Sequence, residues 1–202
     1  MYSLILVLLI VLYVYHLYYS DIVYAKSDLD NNVYMMRRGR NKSEKFLKES
    51  ANMLAEINLR IEKLINSLEF KYLNDNSKNY FIRKLRENYN SDMISEAEVD
   101  PRYTTYTVDK SEMHICLRTR DKYEKIYDID LLMYVVLHEL AHLCNYTSLG
   151  EPIHGHGYEF RKIFKFLVEE AINLNIYKYT DYSNSPKEYC NIQLNTNILS
   201  QG

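Results

Sequence analysis

The chain has 202 residues, 47% of them apolar and 26% charged, with a net charge of −2. That is enough for one globular domain with an appendage, and it excludes a disordered, strongly charged chain. The near-neutral balance argues against a nucleic-acid surface, since the one basic cluster, Arg37, Arg38 and Arg40, lies far in sequence from the residues that carry chemistry.

Residues 1 to 20, MYSLILVLLIVLYVYHLYYS, carry no Asp, Glu, Lys or Arg. The apolar run from Leu4 to Tyr19 has about the length of a bilayer core, and Tyr13, Tyr15, Tyr18 and Tyr19 suit a headgroup boundary. The segment is therefore expected to be a transmembrane helix. Lys26, Arg37, Arg38, Arg40 and Lys42 follow it and no basic residue precedes it, which predicts a single-pass protein with its C-terminal part on the cytoplasmic side. The alternative is a cleaved signal peptide, with Val23 and Ala25 at the cleavage site and a secreted product. Cys116, Cys144 and Cys190 are odd in number and lack metal-binding spacing, which suits a reducing compartment better than a disulfide framework.

Residues 21 to 43 are polar without sustained periodicity and read as a tether. Ser43 is a candidate N-cap for a long helix reaching about Phe70. Along it Leu47, Ala51, Leu54, Ile57, Ile61, Leu64, Ile65 and Leu68 recur at three- and four-residue steps, a stripe that reads as core rather than coiled coil. After the turn-rich NDNS, the run NYFIRKLRENY reads as a second helix capped by Ser77. The β-branched and aromatic stretches YTTYTV and MHICLR, separated by polar DKSE, suggest a hairpin. A family resemblance carried by later residues implies that this second strand borders the substrate cleft, where an extended substrate could add by backbone hydrogen bonds. Next, DIDLLMYVVLHELAHL reads as a helix capped by Asp128 or Asp130, apolar over most of its circumference and so central in the domain. Near the end, YKYTDYSNSPKEYCNIQLN combines turn residues with a short strand-like stretch, and its tyrosines read as core.

The chemistry gathers at HELAHLCNYTSLGEPIHGHGYEF, residues 138 to 160. His138 and His142 are four apart, so on a helix both imidazoles leave one face and can share a metal ion. Glu139 beside the first can accept a proton from a metal-bound water without being a ligand. A catalytic zinc takes three protein ligands and keeps one position for water, and both His154 and His156 could complete the set. His156 is favoured because it opens the amphipathic run YEFRKIFKFLVEEAINL, in which Phe160 anchors the helix, while Gly157 lets the backbone pass close to the metal helix. His154 is the alternative, or else a substrate-side group. Cys144, two beyond His142, points to another helix face and reads as a buried free thiol.

HELAH followed after a short loop by HGYEF resembles the WLM and SprT-like families of zinc metallopeptidases, whose shared pattern is HExxH, a loop, then HGxxF. The resemblance covers roughly residues 100 to 192, including MHICLR and PKEYC. It implies His138, His142 and His156 as ligands of Zn2+ and Glu139 as catalytic base. It also implies an α+β, zincin-like metallopeptidase domain over residues 44 to 202 with the HExxH helix central, here behind a transmembrane segment (1 to 20) and a tether (21 to 43). Other patterns fit less well. A metzincin would need Gly at 145 and His at 148, where Asn145 and Ser148 stand, and Glu159 as a thermolysin-like ligand is a poorer partner for zinc than His156. Cellular members act on proteins bound or crosslinked to DNA, and this sequence supplies no equivalent DNA-binding module.

The expected function is a membrane-anchored, zinc-dependent metallopeptidase acting on a protein or peptide substrate. His154, Tyr158 and Tyr189 are candidate donors to the transition state. Two alternatives stand beside it. One is a membrane-anchored interaction module with a non-catalytic zinc site, and the other is a metal hydrolase acting on a bond other than a peptide.

Overall fold

The computed structural model describes residues 2–19, 21–41, 43–99 and 104–200. Its architecture is α+β, with long helices around small sheets.

Helix α1, Tyr2–Tyr19, precedes the rest. Among the described residues no helix is long and apolar enough to cross a membrane. This overturns the expected transmembrane segment, and with it the single-pass placement and the sidedness drawn from flanking charge. The physical reason lies in length and composition. Eighteen helical residues rise about 27 Å against a hydrocarbon core of about 30 Å. The continuous aliphatic run also ends at Leu12, and from there Tyr13, Tyr15, His16, Tyr18 and Tyr19 interrupt it.

Residues 21 to 43 are not a tether. They hold an antiparallel hairpin of β1 (Ile22–Lys26) and β2 (Val33–Arg37), with Ile22 opposite Arg37 and Lys26 opposite Val33. Alternation places Tyr34 and Met36 in the core, at 2% and 1% exposure. The hairpin is also clamped by charge. Fully buried Arg118 donates through Nε and Nη2 to the Glu96 carboxylate at 2.7 and 2.6 Å, and Arg37 Nε donates to the same group at 3.0 Å. Arg37 Nη1 reaches Glu124 at 3.2 Å, and Glu124 accepts from the backbone N–H of Arg40 at 2.6 Å. Gly39 lies so close to the Glu124 carboxylate and the Arg118 guanidinium that a Cβ there would collide with both.

Helix α2 (Glu44–Lys71) begins where expected, with the Ser43 hydroxyl accepting from Phe46 N–H, and its apolar stripe is buried from Ala51 to Leu68, with Leu47 half-buried. Helix α3 (Asn76–Asn88) is capped by Asp75 rather than Ser77, because the Asp75 carboxylate accepts the N–H groups of both Ser77 and Lys78. The main sheet runs β3 (Ile94–Glu96), β5 (Glu112–Ile115), β4 (Tyr106–Val108), with β3 parallel and β4 antiparallel to β5. The expected hairpin is β4–β5, although Tyr103 at the start of its first strand lies outside the described residues. Because β5 is central and paired on both sides, the strand bordering the cleft is β4, the first of the hairpin and not the second.

Helix α4 (Ile129–Cys144) is capped by Asp128, whose side chain accepts from Asp130 N–H. Leu132, Met133, Val136, Leu137, Leu140 and Ala141 are all sealed from solvent, which is what its all-round apolar sequence demands. Helix α5 (Tyr158–Asn173) packs beside it through Phe160, Ile163, Phe164 and Leu167. A final hairpin, β6 (Lys187–Tyr189) and β7 (Ile192–Leu194), follows, and Tyr177, Tyr182 and Tyr189 are buried. Cys116 and Cys190 form a disulfide that ties this hairpin to the end of β5, which corrects the expectation of free thiols throughout. Their separation of 74 residues carries no local signature. Cys144 is free and buried, with its thiol pushed up to about 12 by burial.

Candidate metal centre

Helix α4 sets the first two imidazoles. His138 and His142 stand one turn apart on the face turned toward the start of α5, and His156 reaches the same point from the residues just before that helix. His156 Nε2 lies 2.9 Å from His138 Nε2 and 3.2 Å from His142 Nε2, and one ligand atom from each of the three falls within 4.8 Å of the others. A tetrahedral zinc with Zn–N bonds of about 2.0–2.1 Å holds its ligand nitrogens roughly 3.3 Å apart, so the set fits such an ion.

Electrostatics favour the same reading. Burial, and then the neighbouring imidazoles, lower the pKa of His138 to about 3. Burial, followed by His156 and Lys110, lowers that of His142 to about 4. Both rings are therefore neutral at pH 7, with a lone pair available to a cation. Three imidazole nitrogens turned on one another gain from a shared positive charge. Phe160 backs all three: its ring centroid lies 4.8 Å from His138, 4.3 Å from His142 and 4.8 Å from His156.

Glu139 projects from α4 into a cleft of about 500 Å³ that the three histidines share. It is 7% exposed, and burial pushes its carboxyl up to about 7, while a hydrogen bond from Thr107 pulls the other way. That bond runs from Thr107 Oγ1 on β4 to Glu139 Oε2 at 2.8 Å. One helical turn further along, Lys110 Nζ donates to the carbonyl of His142 at 2.7 Å and to that of Asn145 at 3.2 Å. The β4–β5 hairpin is thus stapled to the metal helix twice, once at the carboxylate and once at the helix end.

His138, Glu139, His142 and His156 meet in this cleft. His154 lines it as well but stands outside the three-nitrogen cluster. Tyr189 is fully buried behind it, with its hydroxyl hydrogen-bonded to Thr105 Oγ1. Tyr158 is 66% exposed at the start of α5, and Glu159 lines a separate cavity. Phe160, the anchor expected from HGYEF, also packs against all three imidazoles, whereas Thr107 and Lys110 carry no signal in the sequence. The threonine read only as strand composition and the lysine only as loop.

No family model matches the chain, and no solved structure does, which leaves the expected zincin-like fold without support. Two viral proteins are similar to it. An uncharacterized protein, 136R, of Invertebrate iridescent virus 6 is 29% identical over 103 residues, which is 50% of this chain and 53% of that protein. Uncharacterized protein R325 of Acanthamoeba polyphaga mimivirus is 37% identical over 187 residues, covering 89% of this chain and 86% of the relative. On that extent of identity, the chain belongs to the same family as the mimivirus protein R325.

Proposed function

We propose that the protein is a zinc-dependent metallopeptidase that hydrolyses peptide bonds in a protein or peptide substrate. The observation that carries this reading is the approach of His138, His142 and His156 to within 4.8 Å, with Glu139 in the wall of the same cleft. Zinc held by the three imidazoles would supply a Lewis acid for the scissile carbonyl and lower the pKa of the attacking water toward neutrality.

The remaining work falls to the chain. Glu139 takes the proton of the nucleophile and returns it to the leaving amine, a task its place in the wall of the same cleft allows. Thr107 fixes one carboxylate oxygen and leaves the other for the water. Burial of His138 and His142 keeps them neutral and ready to bind metal. The resemblance of HELAH and HGYEF to the WLM and SprT-like zinc metallopeptidases supports the same activity. A purely structural zinc site has no use for a carboxylate beside an open coordination position, which weighs against the interaction-module alternative.

The test is metal content together with hydrolysis of a mixed protein substrate by the whole chain. Bound zinc near one equivalent, lost in His138→Ala, His142→Ala and His156→Ala, with hydrolysis in the wild type alone, is the expected result. Full zinc in His156→Ala would remove the ligand set.

A further inference from the structure

The outer face of the main sheet carries a cluster that the metal centre does not use. Alternation along β5 sends Met113 and Ile115 into the core, both sealed from solvent, and turns Glu112 and His114 to the opposite face. Register then sets three side chains in a row across the sheet, because His114 stands opposite Ser95 of β3 on one side and Tyr106 of β4 on the other. His114 Nδ1 lies 2.8 Å from Ser95 Oγ, and its Nε2 lies 3.1 Å from Glu112 Oε2. The Tyr106 ring packs against the imidazole with centroids 4.9 Å apart.

The order of these contacts fixes where the protons are. An ionised carboxylate only accepts, so in the neutral ring the proton sits on Nε2 and faces Glu112. Nδ1 then carries the lone pair, and the Ser95 hydroxyl is its donor. A hydroxyl donating to an imidazole that a carboxylate orients is the arrangement of an activated nucleophile. Ser111 provides the contrast nearby, since its hydroxyl donates to the Val108 carbonyl at 3.3 Å, which is no base.

Ser95, His114 and Glu112 line one cavity of about 380 Å³, which shares no lining residue with the metal cleft. Ser95 keeps 7% exposure, the same as Glu139. Part of the wall is the outer face of the β1–β2 hairpin, where Tyr24 stands opposite Met35 and both Tyr24 and Val33 are exposed. Among the described residues the lining holds no Lys or Arg, whereas Asp92 and Glu112 are both in it. Such a wall repels phosphate and carboxylate groups, and its apolar part favours an uncharged molecule.

We propose that Ser95 is a nucleophile, with His114 as its base and Glu112 positioning the imidazole, in a second site that transfers the acyl group of an uncharged ester to water. Ser95 Oγ bonds to the acyl carbon as its proton passes to His114 Nδ1, and the alcohol leaves with that proton as the ester C–O bond breaks. Water then attacks the acyl carbon, gives a proton to His114 and displaces Ser95 Oγ, which takes the proton back. An acid and an alcohol are released. The site does not rest on the peptidase reading.

The test treats the full chain with diisopropyl fluorophosphate, an uncharged probe that leaves a stable phosphoryl group on an activated serine as fluoride departs. Peptide mass spectrometry is expected to place a single label on Ser95, with Ser111 unmodified. No label on Ser95, or equal labelling of Ser95 and Ser111, overturns the proposal without recourse to a variant. His114→Gln is expected to slow labelling by about 10²-fold or more. Glu112→Ala is expected to slow it by up to about fivefold, since that carboxylate is 63% exposed and water can take its place. Labelling of His114→Gln at the wild-type rate overturns the assignment of the base. Hydrolysis of p-nitrophenyl butyrate is then followed with a zinc chelator present, which keeps the metal centre silent. Its rate is expected to fall in step with the fraction of Ser95 labelled, and a rate independent of that fraction overturns the ester reaction. Label on Ser95 without peptide hydrolysis by the zinc-loaded chain keeps this site and removes the peptidase reading.

Discussion

The Thr107 hydroxyl donates to Glu139 Oε2 at 2.8 Å across the gap between β4 and α4. The contact joins the strand that borders the cleft to the carboxylate that would move the proton. It leaves Glu139 Oε1 as the oxygen that would face a reacting water, and it opposes the burial that would otherwise favour the protonated acid.

Thr107→Val keeps the shape and removes the donor. A hydrogen bond to a charged group is worth about 1.5–3 kcal/mol, so kcat is expected to fall about 10- to 100-fold with KM and bound zinc unchanged, and Thr107→Ser is expected to restore most of it. Steady-state kinetics of the two variants at equal zinc content checks this. An equal loss in the Val and Ser forms would mean that the methyl group, not the hydroxyl, is what matters.

In the metal-free protein, Glu139 should also leave a mark on stability. Burial moves its carboxyl from 4.5 to about 7, so the folded chain holds a proton that the unfolded chain releases near 4.5. The contribution of this group is therefore whole below pH 4.5 and declines as pH rises to 7. Glu139→Gln removes the decline. Relative to wild type, the metal-free Gln form is expected to gain on the order of 3 kcal/mol between pH 4.5 and 8. Urea denaturation at the two pH values measures it, and the opposing effect of the buried histidines cancels because both forms share them.

Much of this arrangement was legible in the sequence, for reasons that can be traced to single residues. Ser43 and the stripe from Ala51 to Leu68 specify α2 because a cap and a 3.6-residue period are local signals. The spacing of His138 and His142 on an apolar helix likewise points to a shared ligand face. What the sequence does not reveal depends on contacts distant along the chain. Apolar residues run consecutively in β1 (IVYAK) and β2 (VYMMR) without polar alternation, and what holds the hairpin is the meeting of Arg37 with Glu96, 59 residues away. Thr107 finds Glu139 across 32 residues, and Cys116 finds Cys190 across 74. For α1 the difference has another source. The apolar run from Leu4 to Tyr19 includes tyrosines, which interrupt its aliphatic stretch at Tyr13.

The buried charge clamp is expected to be costly to break from one side. Glu96→Gln leaves Arg118, which is fully buried, without its counter-charge, and such losses run to about 3–5 kcal/mol. Equilibrium urea unfolding should show a correspondingly lower midpoint. A change below about 1 kcal/mol would mean that Glu124 compensates.

The disulfide should matter at the other end of the chain. Closing a loop of 74 residues restricts the unfolded state by about 4 kcal/mol in the chain-entropy account. The double variant Cys116→Ser, Cys190→Ser is expected to lose up to that amount in denaturant unfolding, while reducing agent should leave it unchanged and lower the wild type toward it.

The central claim is that Glu139 is a base beside a zinc-activated water. Glutamine matches its shape, can still accept the Thr107 hydrogen bond and leaves His138, His142 and His156 in place. Glu139→Gln should therefore bind zinc at parity with wild type. A general base contributes ~10²- to 10⁴-fold in rate, and since the same group also returns the proton to the leaving amine, the loss is expected at the upper end. The deciding measurement is peptide hydrolysis by the zinc-loaded wild type and Glu139→Gln side by side, with zinc content determined on the same samples. Equal zinc with hydrolysis falling by about 10⁴-fold is the predicted result; equal zinc with equal hydrolysis, or a zinc-loaded wild type that cleaves no peptide, would contradict it.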